Sequence, residues 1–192
     1  LLLSTKVSQP ILAVIERLPP PNMIDLPRCE PSIAQLTDVR GSEFLPWTFY
    51  NITGVSDQKF QNFVKTMDDN NIIGSEPNAI HLVRSAPISS YSEHPRTLHD
   101  ALDAHMRYCT THLDELDFFP FGFLAAHDEV WDENGVFLVY IDFEEPFEVT
   151  GFCLSTDDVP AAASTLRDDD NGIREVRDMY ERPRGSSLDA KR

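Results

Sequence analysis

The segment from Phe121 to Leu154 constrains this chain more than any other. It holds three apolar stretches rich in aromatic and β-branched residues: Phe121 to Trp131, Val136 to Phe143, and Phe147 to Leu154. Such stretches read as strands. Asp132-Glu133-Asn134-Gly135 joins the first two. Asn-Gly is the strongest short hairpin signal, because both residues tolerate the positive φ of a type I′ turn. A two-residue turn there sets Trp131 against Leu138, Glu129 against Tyr140, and His127 against Asp142. A four-residue loop keeps the same faces. Alternation then gives a core face of Leu124, Ala126, Val130, Phe137, Val139, Ile141 and Phe143. The opposite face carries His127, Glu129, Trp131, Tyr140 and Asp142. A tight Glu145-Pro146 turn into the third strand would place Gly151 opposite Tyr140.

Two main helices precede or flank these strands. The first covers about 56–70: Ser56 stands at the cap, Val55 and Phe60 at staple positions, and Phe60, Phe63, Val64 and Met67 recur at helical spacing. The second covers about 93–117, with Leu98, Leu102, Met106, Cys109, Leu113 and Leu116 forming one stripe and Asp100, Asp103, Arg107 and Asp114 opposite. Trp47 to Ile52 and Ala79 to Ser85 read as further strands, and short helices are expected near Asp157 to Leu166 and from Ile173 to Arg182. The expected fold is therefore α+β: a mostly antiparallel sheet with an Asn-Gly hairpin (about 121–154), packed against the two main helices, with a short C-terminal helix.

Half of the fourteen prolines fall in the first 46 residues. Proline removes a backbone donor and fixes φ, so residues 1–46 read as an irregular arm packed on the domain, 47–183 as a single α+β domain, and 184–192 as a frayed tail. No apolar run approaches the roughly 18–20 residues needed to span a bilayer. Leu1-Leu2-Leu3 lacks the basic start and small-residue cleavage site of a signal peptide. Cys29, Cys109 and Cys153 are odd in number and form no C-x-x-C pair, so a disulfide framework is not expected and a cytoplasmic or nuclear setting fits better than secretion.

Charge separates the two halves. Up to residue 92 there are nine acids against seven bases; beyond it, twenty-three against nine. From Tyr108 to Leu166 there is no Lys or Arg at all. Such a surface repels phosphate backbones and anionic lipid, and it lacks the cations that clamp nucleotides. Nucleic acid, membrane surfaces and nucleotides are therefore not expected partners; a basic protein is. A solvated acidic face that serves only solubility is the plainer alternative.

Three constellations carry possible chemistry. His127 beside Asp142, with Glu129 near, suits a general base with its orienting carboxylate, or a metal-assisted hydrolase. No nucleophile accompanies the pair, and a cross-strand charge pair explains it equally well. His105, Cys109 and His112 are zinc-ligand types on one helix, but the two histidines are seven apart and Cys109 falls within the apolar stripe, so no metal is expected there. Asp168-Asp169-Asp170-Asn171-Gly172 resembles a calcium loop only in composition, because its order departs from that motif at the defining positions. Glycine-rich phosphate loops are absent. No cofactor is expected. The leading expectation is a non-enzymatic interaction module that meets a basic partner with an acidic sheet face bearing Trp131, Tyr140 and Glu129. The hydrolase is the alternative, and a small-ligand pocket between helix 93–117 and the sheet is a third.

Overall fold

A computed structural model describes residues 26, 31–38, 44–54, 56–75, 79–87, 95–142, 144, 146–167 and 172–182. Most of the N-terminal arm, the acidic run 168–171 and the tail 184–192 lie outside these residues.

The fold is built around β1 (Trp47–Asn51), whose five residues are all buried. Phe49 points to one face and packs edge-on against Phe60 and Phe63 of α1 (Asp57–Asp69), at 5.4 and 5.6 Å. Tyr50 points to the other and meets His105 of α2 (Leu98–Thr111), at 6.0 Å. Helices therefore cover both faces. α1 leads from β1 to β2 (Val83–Ser85), and α2 leads from β2 to β3 (Gly122–Ala126). Such helical crossovers return the chain in the same direction, so β2 and β3 both pair parallel with β1. β4 (Val136–Ile141) and β5 (Val149–Leu154) then add antiparallel strands, giving the order β2-β1-β3-β4-β5.

The class is α+β with a mixed sheet, not the mostly antiparallel one expected. Burial explains the difference. Every residue of β3 and β4 is buried, whereas a sheet with one wet face would alternate. Continuous apolar runs such as Val136 to Ile141 are therefore the mark of two covered faces.

The Asn-Gly hairpin is absent. β3 stops at Ala126, and residues 127–135 connect it to β4 through one helical turn, α3 (Trp131–Asn134). Gly135 ends that turn with φ 76° and ψ −168°, and its N–H donates to the Trp131 carbonyl at 2.8 Å. Asn-Gly is as good a helix terminator as a hairpin turn, for the same reason of positive φ. Burial of the Trp131 indole against Phe63, at 4.8 Å, favours the helical use. The register follows: Leu124 pairs with Leu138 and Ala125 with Phe137. This offset is odd relative to the expected pairing, so the strand faces combine differently. At β4–β5 the register also differs by one, with Gly151 opposite Val139. There Phe147 takes φ 55° and its N–H closes onto Glu144 O at 2.7 Å.

Both helices are shorter than expected. α2 begins at a capping box in which Thr97 accepts from the Asp100 N–H and the Asp100 carboxylate accepts from Thr97. It ends at His112, whose φ of −126° leaves the helix, and a 3-10 turn, Leu113–Glu115, follows. Ser56 precedes α1 as expected but makes no side-chain capping bond. Towards the C-terminus, α4 (Val159–Arg167) and α5 (Ile173–Tyr180) pack together, and α5 rests on β5. Within the arm, a 3-10 helix, Pro31–Asp38, packs on α2 with Leu36 fully buried.

Gly135 is the position most intolerant of a side chain. Its backbone lies where essentially only glycine is found, and a Cβ there would overlap the Leu154 carbonyl oxygen. Gly135→Ala is expected to lower unfolding free energy by about 2–4 kcal/mol. Urea titration should show a lower midpoint at unchanged slope; an unchanged midpoint would show that the α3 cap is not under this constraint.

Candidate functional site

The residues expected to form a hydrolytic pair are held apart. His127 follows the carboxyl end of β3, its ring 4.4 Å from that of Phe137. Asp142 follows the carboxyl end of β4, and its Oδ1 accepts from the Glu144 N–H at 2.9 Å. Because the two strands run antiparallel, these are opposite ends of the sheet, separated by on the order of 20 Å at about 3.4 Å per residue. The proposed His127/Asp142 pair, and with it Glu129 as a third member, does not form. The register decides this, since the expected pairing required the two-residue turn.

The aromatic face is corrected as well. Trp131 and Tyr140 are 4% and 6% exposed, so neither offers contact area to a partner. Lys59 Nζ lies 4.9 Å over the Trp131 ring and donates to Glu129 O at 3.3 Å, closing the connection against α1. Glu129 itself is exposed.

His105, Cys109 and His112 serve α2 packing. His105 is fully buried; its Nε2 lies 2.9 Å from Pro120 O, which can only accept, so Nε2 carries the proton. Nδ1 is then left to accept from the Tyr50 hydroxyl, a long contact at 3.4 Å. Burial pushes the His105 pKa down to about 4, and pushes the Cys109 thiol well above its ordinary value. His112 stacks on Tyr108 at 4.2 Å. With both nitrogens of His105 engaged, the three do not converge on an ion. Among the described residues no group of three His, Cys, Asp or Glu side chains is placed to hold a metal.

One His–Asp pair does form, and no local pattern of residues signals it. Asp68, at the end of α1, places Oδ2 2.6 Å from His81 Nδ1, while Oδ1 accepts from the Leu82 and Val83 N–H groups at 2.8 and 3.2 Å. The carboxylate thereby ties α1 to the start of β2. Asp68 belongs to an acidic run that reads as a helix terminus, and only the crossover brings His81 back to it.

The acids are concentrated on the connections at the sheet ends. At the carboxyl ends of β1 and β3, the β3–β4 connection presents Asp128, Glu129, Asp132 and Glu133 around Val130, which is 46% exposed. Asp128 Oδ1 accepts from the Val130 N–H at 2.8 Å; this bond leads the interactions that hold its carboxyl below the usual range. At the opposite end, Asp114, Glu115 and Glu144 are exposed.

A cleft of about 550 Å³ opens beside the carboxyl end of β1, lined by Asn51, Ile52, Thr53, Gly54, Ser56, Asp57, Pro95 and Arg96. Pro95 and Arg96 precede α2, and no residue of α2 itself lines the cleft, so it is not the expected pocket between that helix and the sheet. From β1 the chain leads outward to β2, and from β3 to β4 on the other side. The β3–β4 connection packs back on α1 through Trp131 and Phe63, and none of its residues lines the cleft. Asn51 is only 8% exposed, and its Oδ1 accepts from the Thr53 hydroxyl at 2.8 Å, so the Asn51-Ile52-Thr53 triplet is a folded turn.

Comparisons of the chain with protein-family models, with curated proteins and with solved structures found no match. Among the described residues no helix is long and apolar enough to cross a membrane.

Two predictions follow from the buried groups. The folded His105 stays neutral down to about pH 4, while the unfolded chain takes up its proton near 6.5. Stability from this residue is complete above pH 6.5 and falls as pH drops towards 4, by about 3 kcal/mol in total. Chemical denaturation at a series of pH values should show this slope, and His105→Gln should flatten it. Separately, Asp68→Ala strands two buried N–H groups and is expected to cost about 2–3 kcal/mol, whereas Asp68→Asn retains an acceptor and costs about 1 kcal/mol. Equal losses would mean that the Oδ1 bonds do not matter.

Proposed function

We propose that this chain is a non-enzymatic interaction module that binds a basic protein through the acidic β3–β4 connection. The observation that carries the reading is how Asp128, Glu129, Asp132 and Glu133 are presented. Trp131 pins the connection into the core, the Asp128–Val130 bond shapes its start, and Gly135 ends its helical turn. The acids therefore stand on an ordered knuckle, and binding pays little entropy to arrange them. Val130 gives the patch an apolar centre. No Lys or Arg between Tyr108 and Leu166 competes for these carboxylates, and the nearby Lys59 is engaged with Trp131 and Glu129 O. Charge of one sign on a rigid protrusion speeds encounter with, and selects for, a partner of the opposite sign.

The test uses an oligolysine peptide as a defined basic probe, with affinity measured by calorimetry across a salt series. Affinity should fall with salt, and Glu129→Gln/Asp132→Asn/Glu133→Gln should weaken binding by about tenfold or more at low salt. The matching variant at the other end, Asp114→Asn/Glu115→Gln/Glu144→Gln, should bind as the parent does. Equal loss in both variants would show that binding follows net charge rather than the knuckle, and would overturn the proposal.

A further inference from the structure

The β3–β4 connection is fastened to α1 from its exposed side as well as through the core. Lys59 and Phe63 stand one turn apart on α1, at i and i+4, and so share a face. Phe63 meets the Trp131 ring at 4.8 Å, and the exposed Lys59 sets its Nζ 4.9 Å over the same indole. That ammonium also donates to the Glu129 carbonyl oxygen, at 3.3 Å. A single cation thereby holds the connection at two points, two residues apart. Lys59 forms no ion pair with a described carboxylate, whereas Lys65, on the same helix, pairs with Asp69. It takes the main chain of Glu129 and leaves the exposed Glu129 carboxylate unpaired.

We infer that Lys59 is a positioning residue for the acidic knuckle, acting through Trp131 and the Glu129 carbonyl; this rests on the basic-partner reading of that surface. The choice of contacts makes the role possible. A lysine paired with the Glu129 or Asp132 carboxylate would fix the connection but cancel charge that a basic partner needs. A cation set on a carbonyl oxygen and an aromatic face fixes the connection without engaging a carboxylate. Exposed contacts of this kind are weak singly, so the expected effect is several-fold rather than a complete loss. Two accounts of Lys59 predict opposite signs. As a bare charge beside acids it repels a basic partner, and its removal tightens binding. As a clamp it keeps Glu129, Asp132 and Glu133 arranged before the partner arrives, and its removal weakens binding.

The experiment compares the full parent chain with Lys59→Ala and Lys59→Arg. Alanine forms helix at least as well as lysine, so α1 itself is not weakened. Arginine keeps the charge, the donors and the ability to stack on an aromatic face. Amide hydrogen exchange at residues 129–134 should be faster by about threefold or more in Lys59→Ala, and close to the parent in Lys59→Arg. Oligolysine affinity, measured by calorimetry at low salt, should fall by about threefold or more in Lys59→Ala, although a repelling cation has gone. Lys59→Arg should stay within about twofold of the parent. Unchanged or tighter oligolysine binding by Lys59→Ala would overturn the inference, as would exchange at 129–134 that matches the parent. Failure of the parent to bind oligolysine would instead sink the basic-partner reading, and the exchange rates alone would then decide whether Lys59 orders the connection.

Discussion

The burial of β1 on both faces is the constraint on which the rest of this structure depends. A strand with Phe49 on one side and Tyr50 on the other needs an apolar cover on each, and α1 and α2 supply it. Each aromatic pair contributes about 0.5–1.5 kcal/mol beyond its area, and the pairs come from different helices. Reaching both faces obliges the chain to leave β1, cross, pair beside it, and cross again. Parallel neighbours on either side of β1 follow from that path.

Polar groups inside this arrangement serve the crossovers. His105 lies between α2 and the sheet as a neutral imidazole, joined to Pro120 O and in contact with the Tyr50 hydroxyl. Asp68 performs the corresponding task on the other face, accepting from two N–H groups at the start of β2 while meeting His81. Neither assembles a catalytic group of three. On the β3–β4 connection, α3 and its buried Trp131 give the exposed acids a fixed frame.

Much of the element content was legible in the residues. Phe60, Val64 and Met67 at helical spacing become the buried stripe of α1, and Leu98, Leu102 and Cys109 that of α2. Strand positions were legible to within a few residues. Pairing was not. Asn134-Gly135 provides positive φ, which a hairpin turn and a helix terminus use equally, and local sequence does not choose between them. The choice falls to Trp131, which buries against Phe63 and Lys59 only if the chain makes a helical turn first. One altered connection changed the register by an odd number and separated His127 from Asp142, while cover on both faces of the sheet buried Tyr140. Phe147 repeated the effect at the next turn.

By itself, the sequence determined the amphipathic helices, the apolar strands and the one-sided loss of basic residues from Tyr108 to Leu166. These are properties of spacing and composition, complete within a short window of chain. Only the tertiary structure decided which strands run parallel, which faces are covered, and which ionisable groups share a space. Asp68 and His81 are separate in sequence and meet only because the chain returns from α1 to β2. The physical reason is that contact between remote residues depends on strand order and register, and these are settled by burying both faces of the sheet at once.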